Sequence, residues 1–133
     1  MSDVADGIGT EAARQRQNRQ RARELPGPIW GWVRAAAHAG DGAVLVERTG
    51  GPMLTTFRLS WRGGKPDRAL EIAVDEAAGA VRASWVAAHG YGKSADARSV
   101  EASRFNPAKL EAAIALLVDR RRWARGAVPT IPW

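Results

Sequence analysis

The chain has 133 residues, which is most economically one domain, large enough to bury roughly two-thirds of the surface that its unfolded form exposes. It contains no Cys and two His, so disulfides are excluded, and neither a metal centre nor another cofactor is expected. The net charge of +6, from 20 Lys and Arg against 14 Asp and Glu, favours nucleic acid or an acidic protein surface as the partner.

The sequence does not predict a membrane protein. No apolar run reaches the roughly 18 to 20 residues that a membrane span requires. Residues 1–10 are small and polar, without the basic and apolar regions of a secretory signal. We therefore expect no membrane partner and a cytoplasmic location.

Residues 12–23 have the most unusual composition of the chain. Their arginines are interleaved with Gln and Asn, and no acid lies between Glu11 and Glu24. At about 100° per residue these arginines fall on two opposite sides of a helix, and no apolar stripe is left to dock on a core. Such a segment is typical of arms that contact phosphates with arginines and base edges with amides, and that fold on binding. We predict a mobile arginine-rich arm at 1–25 that binds nucleic acid through Arg14, Arg16, Arg19, Arg21 and Arg23. The alternative is a solvated helical extension.

A short helix is predicted next, over 29–39. Pro26 disfavours helix at the residue before it, and Pro28 suits a new helix start. Trp30 and Trp32 are two positions apart and cannot share one helix face. One is expected to pack on the sheet, and the other to cover an edge or to meet a partner.

Four strands in consecutive hairpins are predicted between 43 and 87. Each strand alternates apolar and polar residues, and a period of two puts one set on a core and the other in solvent. The predicted core-facing set is Val44, Val46, Met53, Thr55, Phe57, Leu59, Trp61, Leu70, Ile72, Val74, Val81, Ala83, Trp85 and Ala87. The connections 62–66 and 76–79 contain Gly and have hairpin chemistry.

The solvent face of this meander is predicted to be basic, although Glu71 and Asp75 dilute its charge. Its candidate phosphate contacts are Arg58, Arg62, Lys65 and Arg82, with Arg68 beside them. A basic sheet can follow a phosphate backbone and support base stacking, so single-stranded RNA or DNA is preferred over duplex.

A glycine-rich loop at 89–94 groups four polar side chains: His89, Tyr91, Lys93 and Ser94. In the nucleic-acid-binding hypothesis, Tyr91 is an exposed stacking ring and Lys93 contacts phosphate. The same groups could instead supply an acid, a base and phosphate stabilisation for a metal-independent ribonuclease, which is a less favoured alternative.

A C-terminal helix is predicted after 98–104, a segment that could itself add an edge strand. Asn106 can cap this helix and Pro107 fits its first position. Its predicted apolar stripe is Leu110, Ala113, Ile114 and Leu117. The basic residues at its end exceed what the helix dipole requires and form a further candidate phosphate site: Arg120, Arg121, Arg122 and Arg125. Residues 128–133 are an extended tail whose Trp133 must pack back or bind a partner.

These elements predict an α+β fold with an N-terminal helix, a four-stranded antiparallel β-meander and a C-terminal helix packed on one face of the sheet, in a single domain at 26–127. The order of strands and final helix resembles that of PUR-repeat and Whirly-type single-strand-binding proteins, and the resemblance implies nucleic-acid binding. The predicted function is therefore a non-enzymatic nucleic-acid-binding protein that prefers single strands.

A second functional hypothesis is a small protein-protein interaction module, such as an inhibitor or adaptor. Six Trp are more than one small core readily hides, and Trp and Arg are enriched at protein interfaces. A homodimer is left open by the sequence.

Overall fold

The computed structural model describes residues 3–39, 44–61, 68–86, 97–119, 123 and 129–133. The elements of this part are α1 (Asp3–Glu24), α2 (Pro26–Ala39), β1 (Val44–Gly50), β2 (Leu54–Trp61), β3 (Arg68–Asp75), β4 (Ala80–Val86), β5 (Ala97–Glu101), a 3-10 turn (Ala102–Arg104) and α3 (Pro107–Leu117). The α+β class is confirmed. None of the helices in these ranges is long and apolar enough to cross a membrane.

The strands form one antiparallel sheet in the order β1-β2-β3-β4-β5. The meander is confirmed for the first four strands, but the predicted total of four strands is wrong. β5 pairs with β4 from Ala80↔Glu101 to Ser84↔Ala97 and arises from the segment that could add an edge strand. Val100 is the one large aliphatic residue of β5, so the alternation of apolar and polar residues in this strand is weak. The backbone hydrogen bonds that pair β5 with β4 cannot be seen in a pattern of residue types.

The core lies between one face of the sheet and the helices. The predicted alternation in β2, β3 and β4 is confirmed, because the core-facing side chains are buried: Phe57, Leu59, Leu70, Ile72, Val74, Val81, Ala83 and Trp85. Met53, just before β2, is exposed instead. The β3–β4 connection is the expected tight turn, with Gly79 at a φ of 62° and Ala78 N donating to Asp75 Oδ1 at 3.1 Å. The connection 62–66 lies outside the described residues.

Two helices, where one was expected, precede the sheet. Leu25 alone separates them, and its N–H donates to Arg21 O at 3.0 Å while its carbonyl accepts from Ile29 N at 2.9 Å. The first N–H groups of a helix have no partner within that helix, so Pro26 and Pro28 both fit the first turn of α2. The prolines therefore start α2 directly, without an intervening loop.

All six tryptophans pack against the hydrophobic core. Trp30 stacks on Phe57 with ring centroids 6.1 Å apart, and the Trp32 ring lies 6.3 Å from that of Phe105. Trp30 therefore packs on the sheet, as expected for one of the pair, while Trp32 packs against Phe105 and stays half-buried. Core packing accounts for much of the Trp content, and the interaction module stays a prediction.

The C-terminal part closes the core through indole hydrogen bonds to backbone carbonyls. Asn106 caps α3 as predicted, its Oδ1 accepting from Lys109 N at 3.1 Å. The predicted apolar stripe is buried: Leu110, Ala113, Ile114 and Leu117. Trp123 Nε1 donates to Leu116 O at 2.8 Å, and Trp133 Nε1 donates to Lys109 O at 2.9 Å. The tail therefore packs back on the domain.

Candidate nucleic-acid interface

α1 packs at the end of the sheet, against the β3–β4 turn and the 3-10 turn. Asn18 and Ala22 are buried, and Asn18 Oδ1 accepts a hydrogen bond from Ser103 N at 3.1 Å. Gly79 permits this close approach, because a Cβ at that position would lie 2.8 Å from the Asn18 Cβ. The expectation that no residue of 12–23 docks on the core is therefore wrong. The docked stripe consists of Asn18 and Ala22. Because one of these residues is polar and the other is small, they do not produce an apolar periodicity in the sequence.

Docking divides the arginines of α1 into two sets. Arg16, Arg19 and Arg23 are exposed, and their i, i+3, i+7 spacing puts them on one side of the helix, with Arg19 at the edge nearest the docked Ala22. We call these three residues the arginine face. They span about 10 Å along the helix axis. Arg14 and the half-buried Arg21 lie beside the docked stripe.

Arg14 is held by two carboxylates. Its Nη2 lies 3.0 Å from Glu11 Oε2, and its Nη1 lies 3.7 Å from Glu101 Oε1. Arg104 also approaches Glu101, at 3.8 Å. The hydrogen bond that Arg14 donates to Glu11, followed by the negative charge of Glu101, raises the pKa of Arg14 above its ordinary value. Arg14 therefore links α1 to the end of β5.

The arginine face is less neutralised. Arg23 Nε donates to Glu76 Oε1 at 2.8 Å, while Arg16 and Arg19 form no ion pair with any residue in the described ranges. The Arg23 side chain is 64% exposed and that of Glu76 only 16%, so the remaining N–H groups of this guanidinium face solvent. Three guanidinium groups are thus presented on one side of a folded helix.

The outer face of the sheet carries an excess of negative charge on the described strands, where the sequence predicts a basic surface. Arg58 lies opposite Glu47 on β1 and opposite Glu71 on β3, so a carboxylate flanks it on either side. The outward-facing charged residues of these strands are Glu47, Glu71, Asp75, Glu101, Arg58 and Arg82. Register decides which charges meet across a sheet, and strand patterns read one at a time do not reveal it.

A shallow depression of about 450 Å³ lies on the same face, lined by Leu54, Thr56, Glu71, Ala73, Asp75 and Arg82 among others. No aromatic side chain of the described strands points to this side of the sheet. Binding of single strands by a sheet uses positive charge together with rings on which bases stack. The described outer face has a net negative charge and no such ring.

Arg68, placed by the sequence pattern near the basic hairpin, is buried and 4% exposed. Its Nε donates to Leu117 O at 2.7 Å, and its guanidinium carbon lies 4.8 Å from the Trp123 ring centroid and 6.0 Å from that of Trp61. Trp61 is also its cross-strand neighbour. The alternation of β3 does predict the burial of Arg68, because Arg68 lies two positions before the buried Leu70. The charge of Arg68 favoured the opposite interpretation, an exposed side chain.

Several predicted site residues lie outside the described part of the chain. They are Arg62, Lys65, Tyr91, Lys93, Arg120, Arg121, Arg122 and Arg125, and the loop 89–94 proposed for ribonuclease chemistry lies there too. Among the predicted nucleic-acid contacts that lie in the described residues, the structure places Arg16, Arg19 and Arg23 on one side of α1.

Comparison with protein-family models, curated proteins and solved structures found nothing that matches the chain. In the described ranges, no group of three or more His, Cys, Asp or Glu residues is arranged to hold a metal ion. Fold and site together define an α+β domain that carries an arginine-bearing helix on its surface.

Proposed function

We propose that this chain is a non-enzymatic nucleic-acid-binding protein whose phosphate contacts come from the arginine face of α1. The observation that carries the proposal is the placement of Arg16, Arg19 and Arg23 on one exposed side of a docked helix. A guanidinium binds phosphate oxygens through a planar fork of N–H groups, and a folded helix fixes the spacing of three such groups before the ligand arrives.

The surrounding charges favour the same surface. The net charge of +6 attracts polyanions over a distance, but the described outer face of the sheet would repel phosphates at close range. Binding is therefore directed to the end of the domain where α1 lies. An acidic protein surface is the alternative partner, since it would meet the same arginines.

Replacing Arg16, Arg19 and Arg23 together by Gln should weaken nucleic-acid binding by about tenfold or more at moderate salt. The slope of log K against log salt should fall by up to about 0.7 to 0.9 per lost phosphate contact. Gln preserves helix propensity, so α1 should stay folded. Fluorescence polarisation with labelled oligonucleotides, between about 50 and 200 mM salt, measures both quantities.

The matched control removes the same charge from other exposed positions: Arg34→Gln, Arg58→Gln and Arg82→Gln. This variant should keep its salt slope and bind within about threefold of the wild type, because only long-range attraction is reduced. Equal losses of affinity in both variants would mean that binding depends on the net charge of the protein and not on a particular site. Absence of wild-type binding even at about 50 mM salt would refute nucleic-acid binding and leave the acidic protein partner.

A further inference from the structure

We infer that the nucleic acid bound by the arginine face is duplex DNA, with the exposed side of α1 turned toward the major groove. The inference rests on the proposed function and concerns the form of its ligand. It departs from the preference for single strands predicted from the sequence, which depended on a basic sheet with exposed rings.

The aromatic side chains are the first argument. Single strands are held by stacking bases on exposed rings, in addition to charge. The chain has six Trp, two Phe and one Tyr, and all of the Trp and Phe rings pack in or against the core. The remaining ring, Tyr91, lies outside the described residues. On the described surface the arginines offer phosphates a partner, whereas the partly exposed indole rings are held against the core: those of Trp30, Trp32, Trp61 and Trp133.

The shape of α1 is the second argument. The helix has 22 residues, so it is about 33 Å long, and Arg16, Arg19 and Arg23 project from one side of it. The major groove of B-form DNA, about 12 Å wide, admits an α-helix, whereas the major groove of A-form RNA is deep and narrow. Arginines that project from a helix in the major groove can reach the phosphates that border the groove.

The elements that flank α1 are the third argument. Ala77 and Ala78 are exposed in the β3–β4 turn, and Ser103 and Arg104 are exposed in the 3-10 turn. Three acids beside α1 lie close to arginines: Glu11 and Glu101 to Arg14, and Glu76 to Arg23. Glu24, at the end of α1, is exposed and accepts a hydrogen bond from Gln20. A wide polyanion can therefore approach Arg16 and Arg19 while the charges of Glu11, Glu76 and Glu101 are partly compensated.

The test compares duplex DNA, single-stranded DNA and duplex RNA of one length, about 20 nucleotides per strand, at about 100 mM salt, with the full chain. Duplex DNA should bind about tenfold more tightly than either of the others, with a steeper salt slope. The variant with Arg16→Gln, Arg19→Gln and Arg23→Gln should bind the three nucleic acids with affinities within about twofold of one another. The control variant with Arg34→Gln, Arg58→Gln and Arg82→Gln should keep the preference for duplex DNA.

Equal or tighter binding of single strands or of duplex RNA would overturn this inference while leaving nucleic-acid binding intact. A preference for duplex DNA that survives loss of the arginine face would overturn the assignment to α1. Failure to bind any of the three ligands would instead refute the proposed function itself.

Discussion

Replacing Gly79 by Ala should destabilise the fold by about 2 to 4 kcal/mol, measured by urea denaturation. Gly79 has a φ of 62°, a left-handed conformation that costs an L-residue roughly 1 kcal/mol or more. The new Cβ would also lie 2.8 Å from the Asn18 Cβ and 3.0 Å from Arg19 N. One of these contacts is with backbone, so α1 must shift away from the turn.

The matched control is Gly31→Ala. Gly31 lies inside α2, and a Cβ there would have no atom within 4 Å. Because Ala has the higher helix propensity, this variant should be more stable by about 0.5 to 1 kcal/mol. A Gly79→Ala protein as stable as the wild type would show that α1 is not docked as described.

Replacing Arg68 by Ala should lower the free energy of unfolding by about 2 to 4 kcal/mol. The substitution leaves a void beside the Trp123 and Trp61 rings, removes a cation from the face of Trp123, and takes a hydrogen bond from the buried Leu117 carbonyl. The free energy of unfolding of Arg68→Lys should lie between those of the wild type and Arg68→Ala, because Lys retains the charge but loses the planar guanidinium.

Arg82→Ala is the control for this substitution, since Arg82 is exposed on the neighbouring strand. It should change stability by no more than about 0.5 kcal/mol. Denaturant midpoints of the three variants, with unchanged slopes, give the comparison directly. If Arg68→Ala were no more harmful than Arg82→Ala, the guanidinium would not be part of the core.

Patterns local in sequence predicted much of the fold. Alternation located Phe57, Ile72 and Val81 in the core, and Asn106 with Pro107 marked the start of α3. Both signals depend on residues within a few positions of one another, where side-chain period and cap chemistry dominate.

Features that depend on distant residues escaped sequence analysis. Asn18 docks α1 only because Gly79 and the N–H of Ser103 meet it, and neither is near it in sequence. The candidate site shows the same division. Helical spacing put the arginines of 12–23 on two opposite sides of a helix, but the position of Arg58 between Glu47 and Glu71 required the strand register.

The small docking stripe has a consequence for function. α1 is polar over most of its surface, and Asn18 and Ala22 are its buried residues among those whose side chains are described. Helices of this kind gain most of their stability from packing rather than from propensity. The direction in which the arginine face points therefore depends on a few contacts at the β3–β4 turn and the 3-10 turn.

We propose that nucleic acid contacts α1 and not the outer face of the sheet. An amide proton–nitrogen NMR titration of the full chain with duplex DNA tests it most directly. Amides of 15–23 in α1 and of the 3-10 turn should shift, while those of Arg58, Glu71 and Arg82 should stay in place. Shifts concentrated on those three strand residues, with α1 unaffected, would contradict the account.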